Sequence, residues 1–152
     1  MRPDEYDAYT AERERDTAES LSSSMPYAAA HDQARRSTAR FLPDGAATAG
    51  HRLLIAENAD GDVVGHVWLG FTDPRTGSRD SAYLYDIRVP EAHRRRGYAN
   101  AILAAVEDIA RDAGATALGL NVFGHNHGAI ALYSGRGYEV TTQQMSRDLG
   151  QR

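Results

Sequence analysis

Residues 98 to 113, YANAILAAVEDIARDA, set Ala99, Ile102, Leu103, Val106, Ile109, Ala110 and Ala113 at steps of three and four, so a helix here carries one apolar face. Gly114 is its stop signal. Directly upstream, AYLYDIRV (82 to 89) is rich in aromatic and branched side chains and is closed by Pro90, which reads as a strand. A strand that leads through the short turn EAHRRRG into an apolar-striped helix, with further helices and strands on either side, mixes the two element types. This places the chain in the α/β class.

The remaining segments fit around this unit. Residues 3 to 21 are acidic and helix-permissive, with Tyr6, Tyr9, Ala18 and Leu21 only loosely spaced, and SSS at 22 to 24 with Pro26 breaks them. A second helix is predicted from about Pro26 to Leu42, ended by Pro43 and Gly45. From His51 the pattern turns to strands: RLLIAEN, the turn ADGD, then VVGHVWLGF, a hairpin in which Trp68 is core or cleft wall. A polar loop, TDPRTGSRD, precedes the strand at 82 to 89. Beyond the striped helix, ALGLNVF (117 to 123) reads as a strand, GHN as a turn, HGAIALYSGRG as a short helix ended by Gly135 or Gly137, and YEVTTQQMSRDL as a final strand. One domain over residues 1–152 is expected, helical through 45 and sheet-based from 46. No strand precedes the first helix, so the reading allows for a natural N-terminal strand outside these 152 residues.

The chain has no cysteine, which removes disulfides, thiolate zinc sites and thiol nucleophiles together. A net charge of -4 argues against general nucleic-acid binding. No apolar run approaches the roughly 20 residues of a membrane span, and the N-terminus has no signal-peptide core, so a cytoplasmic protein without membrane contact is expected. His125 and His127 on one turn are too few to hold a metal, and none is expected.

The turn RRRGYA (94 to 99) opens the striped helix. A helix start exposes unpaired N–H groups and the positive end of the peptide dipoles, and a glycine lets the main chain close around an anion. Arg94, Arg95 and Arg96 can add charge-assisted bonds to phosphate, or can simply be solvated. Cations at a helix N-terminus oppose the dipole by about 0.3 to 1 kcal/mol each, a cost that a bound anion relieves.

Here the sequence resembles a family. Arg94-x-x-Gly97-x-Ala99 after the strand YLYDIRV is similar to the acetyl-CoA loop of the GNAT superfamily of N-acetyltransferases. Downstream, Asn126-x-x-Ala129-x-x-Leu132-Tyr133-x-x-x-Gly137-Tyr138 resembles that family's second motif, and MSRDL its last strand. The resemblance covers about residues 51 to 150. It implies a mixed sheet of about six strands with flanking helices, in which two parallel strands, here 82 to 89 and 117 to 123, splay apart around acetyl-CoA. It further implies that the main chain of Ile87, Arg88 and Val89 pairs with the pantetheine arm, and that the Val89 N–H polarises the thioester carbonyl. The amides of Arg94, Arg95, Arg96, Gly97, Tyr98 and Ala99 would hold the pyrophosphate, with Asn126 and Ala129 near the pantetheine.

Transfer to an amine needs the neutral amine, whereas a lysine-type amine titrates near ~10.4, so a base or water chain is required. The leaving thiolate, with a thiol pKa of about 8.5 by analogy to cysteine, benefits from a proton donor. Tyr133 matches the family's general acid. Where some relatives carry a glutamate base, this chain has Tyr83 and Asn121. Asp86 is the nearest carboxylate, but strict alternation puts it on the face opposite Tyr83, Tyr85 and Ile87, where a structural role fits equally. His125 could act through water, or be only a turn residue. The expected acceptor is a small-molecule or peptide amine, and the protein a monomer or homodimer. A second reading is a GNAT-like module that binds acyl-CoA as a sensor or partner domain with weak turnover.

Overall fold

The structure, a computed structural model, describes residues 1–151. It divides into two compact units, Met1–Asn121 and the residues from Val122 on.

The first unit opens with helix α1 (Pro3–Leu21) and helix α2 (Tyr27–Phe41). Pro3 occupies the first helical position of α1, and Glu5 reaches back to accept from the Arg2 N–H at 2.6 Å, which fixes the helix start. The two helices meet on small side chains: Ala18 of α1 and Ala30 and Ala34 of α2 are all buried, so the backbones approach closely. Strands β1 (His51–Glu57) and β2 (Val63–Gly70) form the expected hairpin. Its turn is built by Asn58, whose side-chain oxygen accepts from the N–H groups of Asp60 and Asp62, while Gly61 supplies φ +84°. Strand β3 (Ser81–Arg88), helix α3 (Tyr98–Asp112) and strand β4 (Ala117–Leu120) complete the unit as a parallel crossover.

The sheet order is β1-β2-β3-β4, antiparallel except for β3 with β4. The predicted stripe of α3 is realised by Ile102, Leu103, Val106 and Ala110, all buried. Gly65 of β2 has no side chain because Ile102 Cδ1 occupies the place a Cβ would take. The opposite sheet face is covered by α1 and α2, where Tyr9, Leu42, Leu53 and Trp68 form a buried cluster flanked by Tyr6, Phe41 and Tyr85. Trp68 is fully buried, which decides between core and cleft wall.

Two sequence expectations are corrected. Among the described residues the sheet has four strands rather than about six: the strand expected over 117 to 123 ends at Leu120, and residues 138 to 149 form no strand. The middle of that last segment, TTQQ, offers neither face an apolar side chain to bury. The second correction concerns alternation along β3. Asp86 pairs with Trp68 and Leu84 with Leu69, so Tyr85 is an extra residue at a bulge. The bulge breaks the period of two, and Tyr85 and Asp86 share the α1 face: Tyr85 stacks on Trp68 at 4.5 Å, and Asp86 accepts from Tyr9 of α1.

In the second unit, helix α4 (His127–Gly135) is capped by Asn126, whose side-chain oxygen accepts from the Ala129 N–H at 3.2 Å. Gly137, at φ +89°, turns the chain after it.

Candidate active site

The first unit brings together the end of β3 and the start of α3. β3 pairs with β4 from Ser81 through Leu84, opposite Leu120, and then runs on to Arg88 beyond the end of β4. Pro90 and one turn of 3-10 helix (Glu91–His93) lead into the arginine turn. There the backbone is left-handed at Arg95 (φ +62°) and again at Gly97 (φ +83°). Left-handed residues at such short spacing fold the chain so that successive N–H groups point into one concavity, a geometry suited to an anion. Gly97 is also the N-cap of α3 and offers no side chain to its first N–H groups, and no acidic residue lies in the first turn. Arg94 does not simply reach into solvent: its Nε–H donates to the Val89 carbonyl at 2.9 Å, tying the turn to the end of β3. Arg95 and Arg96 are exposed. A Cβ at Gly97 would meet nothing within 4 Å, so the position requires glycine for its backbone angle and not for space.

The α1 face beside Tyr85–Arg88 carries a polar network. Tyr9, 2% exposed, donates its hydroxyl to Asp86 Oδ2 at 2.8 Å. Arg88, with a side chain 10% exposed, places Nη1 at 2.7 Å from Asp16 and 3.2 Å from Glu12, while its Nε lies 3.9 Å from Asp86 Oδ2. Burial pushes the Asp86 carboxyl above the usual aspartate range; Arg13, Arg88 and the Tyr9 hydrogen bond pull it back, and Asp16 adds to the rise. Burial, then the Asp86 charge and the bond to it, hold the Tyr9 hydroxyl well above the ordinary tyrosine value. His66 stacks on Tyr9 at 5.8 Å between ring centroids, and burial lowers its pKa. His51 accepts from the Trp68 indole N–H at 3.0 Å, and Arg13 lies over the Trp68 ring at 4.6 Å.

Sequence reasoning missed Tyr9, Glu12, Arg13 and Asp16 as neighbours of β3. Their spacing does mark one face of α1, but a polar stripe gives no hydrophobic period to notice.

In the second unit, Tyr133 packs its ring near Tyr138 at 5.6 Å, and its carbonyl accepts from the Tyr138 N–H at 3.0 Å. His125 is exposed and stacks on Phe123 at 5.5 Å, while His127 begins α4. His93 lies edge-on to Tyr98 in the first unit. Among the described residues no three His, Asp or Glu side chains gather as a metal cage, and no helix is long and apolar enough to cross a membrane.

Comparison with known proteins follows the same line. The model of the Acetyltransferase (GNAT) family matches residues 8–138. The uncharacterised N-acetyltransferase YycN of Bacillus subtilis is 36% identical over 109 residues, 72% of this chain and 69% of that protein. The uncharacterised N-acetyltransferase YdgE of the same organism is 31% identical over 120 residues, 79% of this chain and 75% of that protein. The crystal structure of YycN superimposes with a TM-score of 0.91 at 29% identity, covering 99% of this chain and 96% of that one. An aminoglycoside N-acetyltransferase, AAC(6')-Iy, in complex with CoA shares the fold, with a TM-score of 0.56 at 21% identity over 77% of this chain and 86% of that one.

Proposed function

Because the chain belongs to the acetyltransferase (GNAT) family, we propose that it moves the acetyl group of acetyl-CoA directly to a primary amine of a small molecule, protein or peptide. The observation that carries this reading is the turn after β3, where left-handed Arg95 and Gly97 and the uncapped start of α3 gather N–H donors at the free end of the strand. The family uses acetyl-CoA, and donors so arranged suit its pyrophosphate. On this reading Arg95 and Arg96 meet the phosphates, while Arg94 holds the turn against Val89. The main chain of Ile87, Arg88 and Val89, beyond the reach of β4, offers its edge to the pantetheine, and the Val89 N–H stabilises the oxyanion. Asn126, through the second motif, contributes to pantetheine binding, with Ala129 beside it.

Asp86 is the base of this proposal, ahead of His125. Its carboxyl has a proton affinity raised by burial, and it stands at the bulge where β3 leaves β4. The ammonium of the acceptor gives its proton to Asp86, the neutral amine attacks the thioester carbon, and the C–S bond breaks. Tyr133 gives its proton to the departing sulfur, and the nitrogen, now bonded to the acetyl carbon, gives up its second proton to solvent, from which Tyr133 regains one.

Thiol release with acetyl-CoA against a panel of polyamine, aminoglycoside and peptide amines tests the reading. Turnover on at least one amine is expected, with Tyr133→Phe lowering kcat by about 100-fold or more. Acetyl-CoA binding with no turnover on any amine, and no effect of Tyr133→Phe, would leave a binding module in place of an enzyme.

A further inference from the structure

Asp86 lies at the bulge of β3, and the charged groups around its carboxyl come from three elements. Tyr9, Arg13 and Asp16 come from α1, with Glu12 joining through Arg88; His66 comes from β2, and Arg88 from β3 itself. Tyr9 and Arg88 both favour the carboxylate, and α1 treats them differently. The Tyr9 hydroxyl is aimed at Asp86 Oδ2 at 2.8 Å, replacing water that burial has removed. The Arg88 guanidinium is turned toward α1 instead, with Nη1 at 2.7 Å from Asp16 and 3.2 Å from Glu12. Only its Nε faces Asp86, at 3.9 Å, and that nitrogen is buried without a hydrogen bond. A fork that could have made a two-point pair with Asp86 is thereby spent on the helix.

We infer that α1 sets the proton affinity of the Asp86 carboxyl, with Tyr9 as the donor that favours the carboxylate and Asp16, aided by Glu12, as the anchor that draws Arg88 away from it. The inference rests on Asp86 as the base of the proposed transfer, and makes Tyr9 and Asp16 positioning residues, since both act through Asp86. Burial and His66 form the background against which α1 acts, and Arg13, on the same helix, favours the carboxylate alongside Tyr9. The directions agree with the electrostatics already described: the Tyr9 bond lowers the carboxyl's pKa, and the Asp16 charge raises it directly, in the same direction as its hold on Arg88.

The test is a carbon-13 NMR titration of the Asp86 carboxyl in the full chain, with the pH profile of kcat/KM recorded on the same proteins. Tyr9→Phe keeps the buried ring and removes only the hydroxyl, and Asp16→Asn changes a side chain that is 51% exposed, so both variants are expected to keep the fold. Tyr9→Phe is expected to move the Asp86 midpoint up by at least about half a pH unit, the loss of one hydrogen bond to a charged group. Asp16→Asn is expected to move it down as Arg88 is released. A purely structural role for either residue would not give opposite signs. Midpoints that stay put, or that move in the same direction in both variants, overturn the inference. Midpoints that move as expected while the acid limb of kcat/KM stays fixed uphold it and remove Asp86 as the base.

Discussion

At the scale of single residues, His51 shows how burial and a hydrogen bond combine into a pH dependence. Its Nδ1 accepts from the Trp68 indole, which requires the neutral ring, and burial lowers its pKa. A histidine whose folded pKa lies below its unfolded value contributes stability that is present above the unfolded value, about 6.5, and is lost as pH falls through the folded one. His66, also lowered by burial, adds in the same direction. Thermal melts should therefore show Tm falling between pH 7.5 and 5, and His51→Asn, which keeps an acceptor but cannot titrate there, should flatten part of that fall. An unchanged slope in His51→Asn would remove His51 from the account. Asp86 has the opposite sign: with its folded pKa raised, the stability of its neutral form is full below the unfolded value and lost as pH rises through the folded one. None of this was legible in the sequence. His51, His66 and His93 were single letters without a spacing rule, and only the pairing of β1 with β2 put His51 beside Trp68.

At the scale of elements, periodicity predicted what depends on hydrophobic faces and failed where backbone irregularity intervenes. The α3 stripe, the α2 span and the hairpin were all readable, because burial of one face leaves a 3.6 or 2.0 period in the letters. The bulge at Tyr85 was not readable, and it reversed the expected face of Asp86 and created the α1 network. At Gly65 α3 packs against β2 with Ile102 Cδ1 in the way of any side chain there. Gly65→Ala should destabilise the protein by about 1–3 kcal/mol through overpacking. Adding Ile102→Val, which deletes the obstructing carbon, should restore part of the loss in urea melts. A double variant no more stable than Gly65→Ala alone would show that the strain lies elsewhere, in the Arg88 carbonyl 3.2 Å from the same point.

At the scale of the whole molecule, the family assignment was legible from two motifs about thirty residues apart, and comparison with relatives bears it out. The strand count was overestimated, since the sequence of residues 138 to 149 lacks the alternation a buried strand writes. Of the three arginines in the turn, Arg94 fastens it to the Val89 carbonyl, while left-handed Arg95 and Gly97 shape its main chain. The central claim is that the turn at 94 to 99 holds acetyl-CoA, and calorimetric titration of acetyl-CoA into the wild type and Gly97→Val measures it. A branched side chain at φ +83° strains the backbone by about 1–2 kcal/mol or more, so a loss of affinity of roughly tenfold is expected in a variant that still folds. Equal affinity in a folded Gly97→Val protein would contradict the claim.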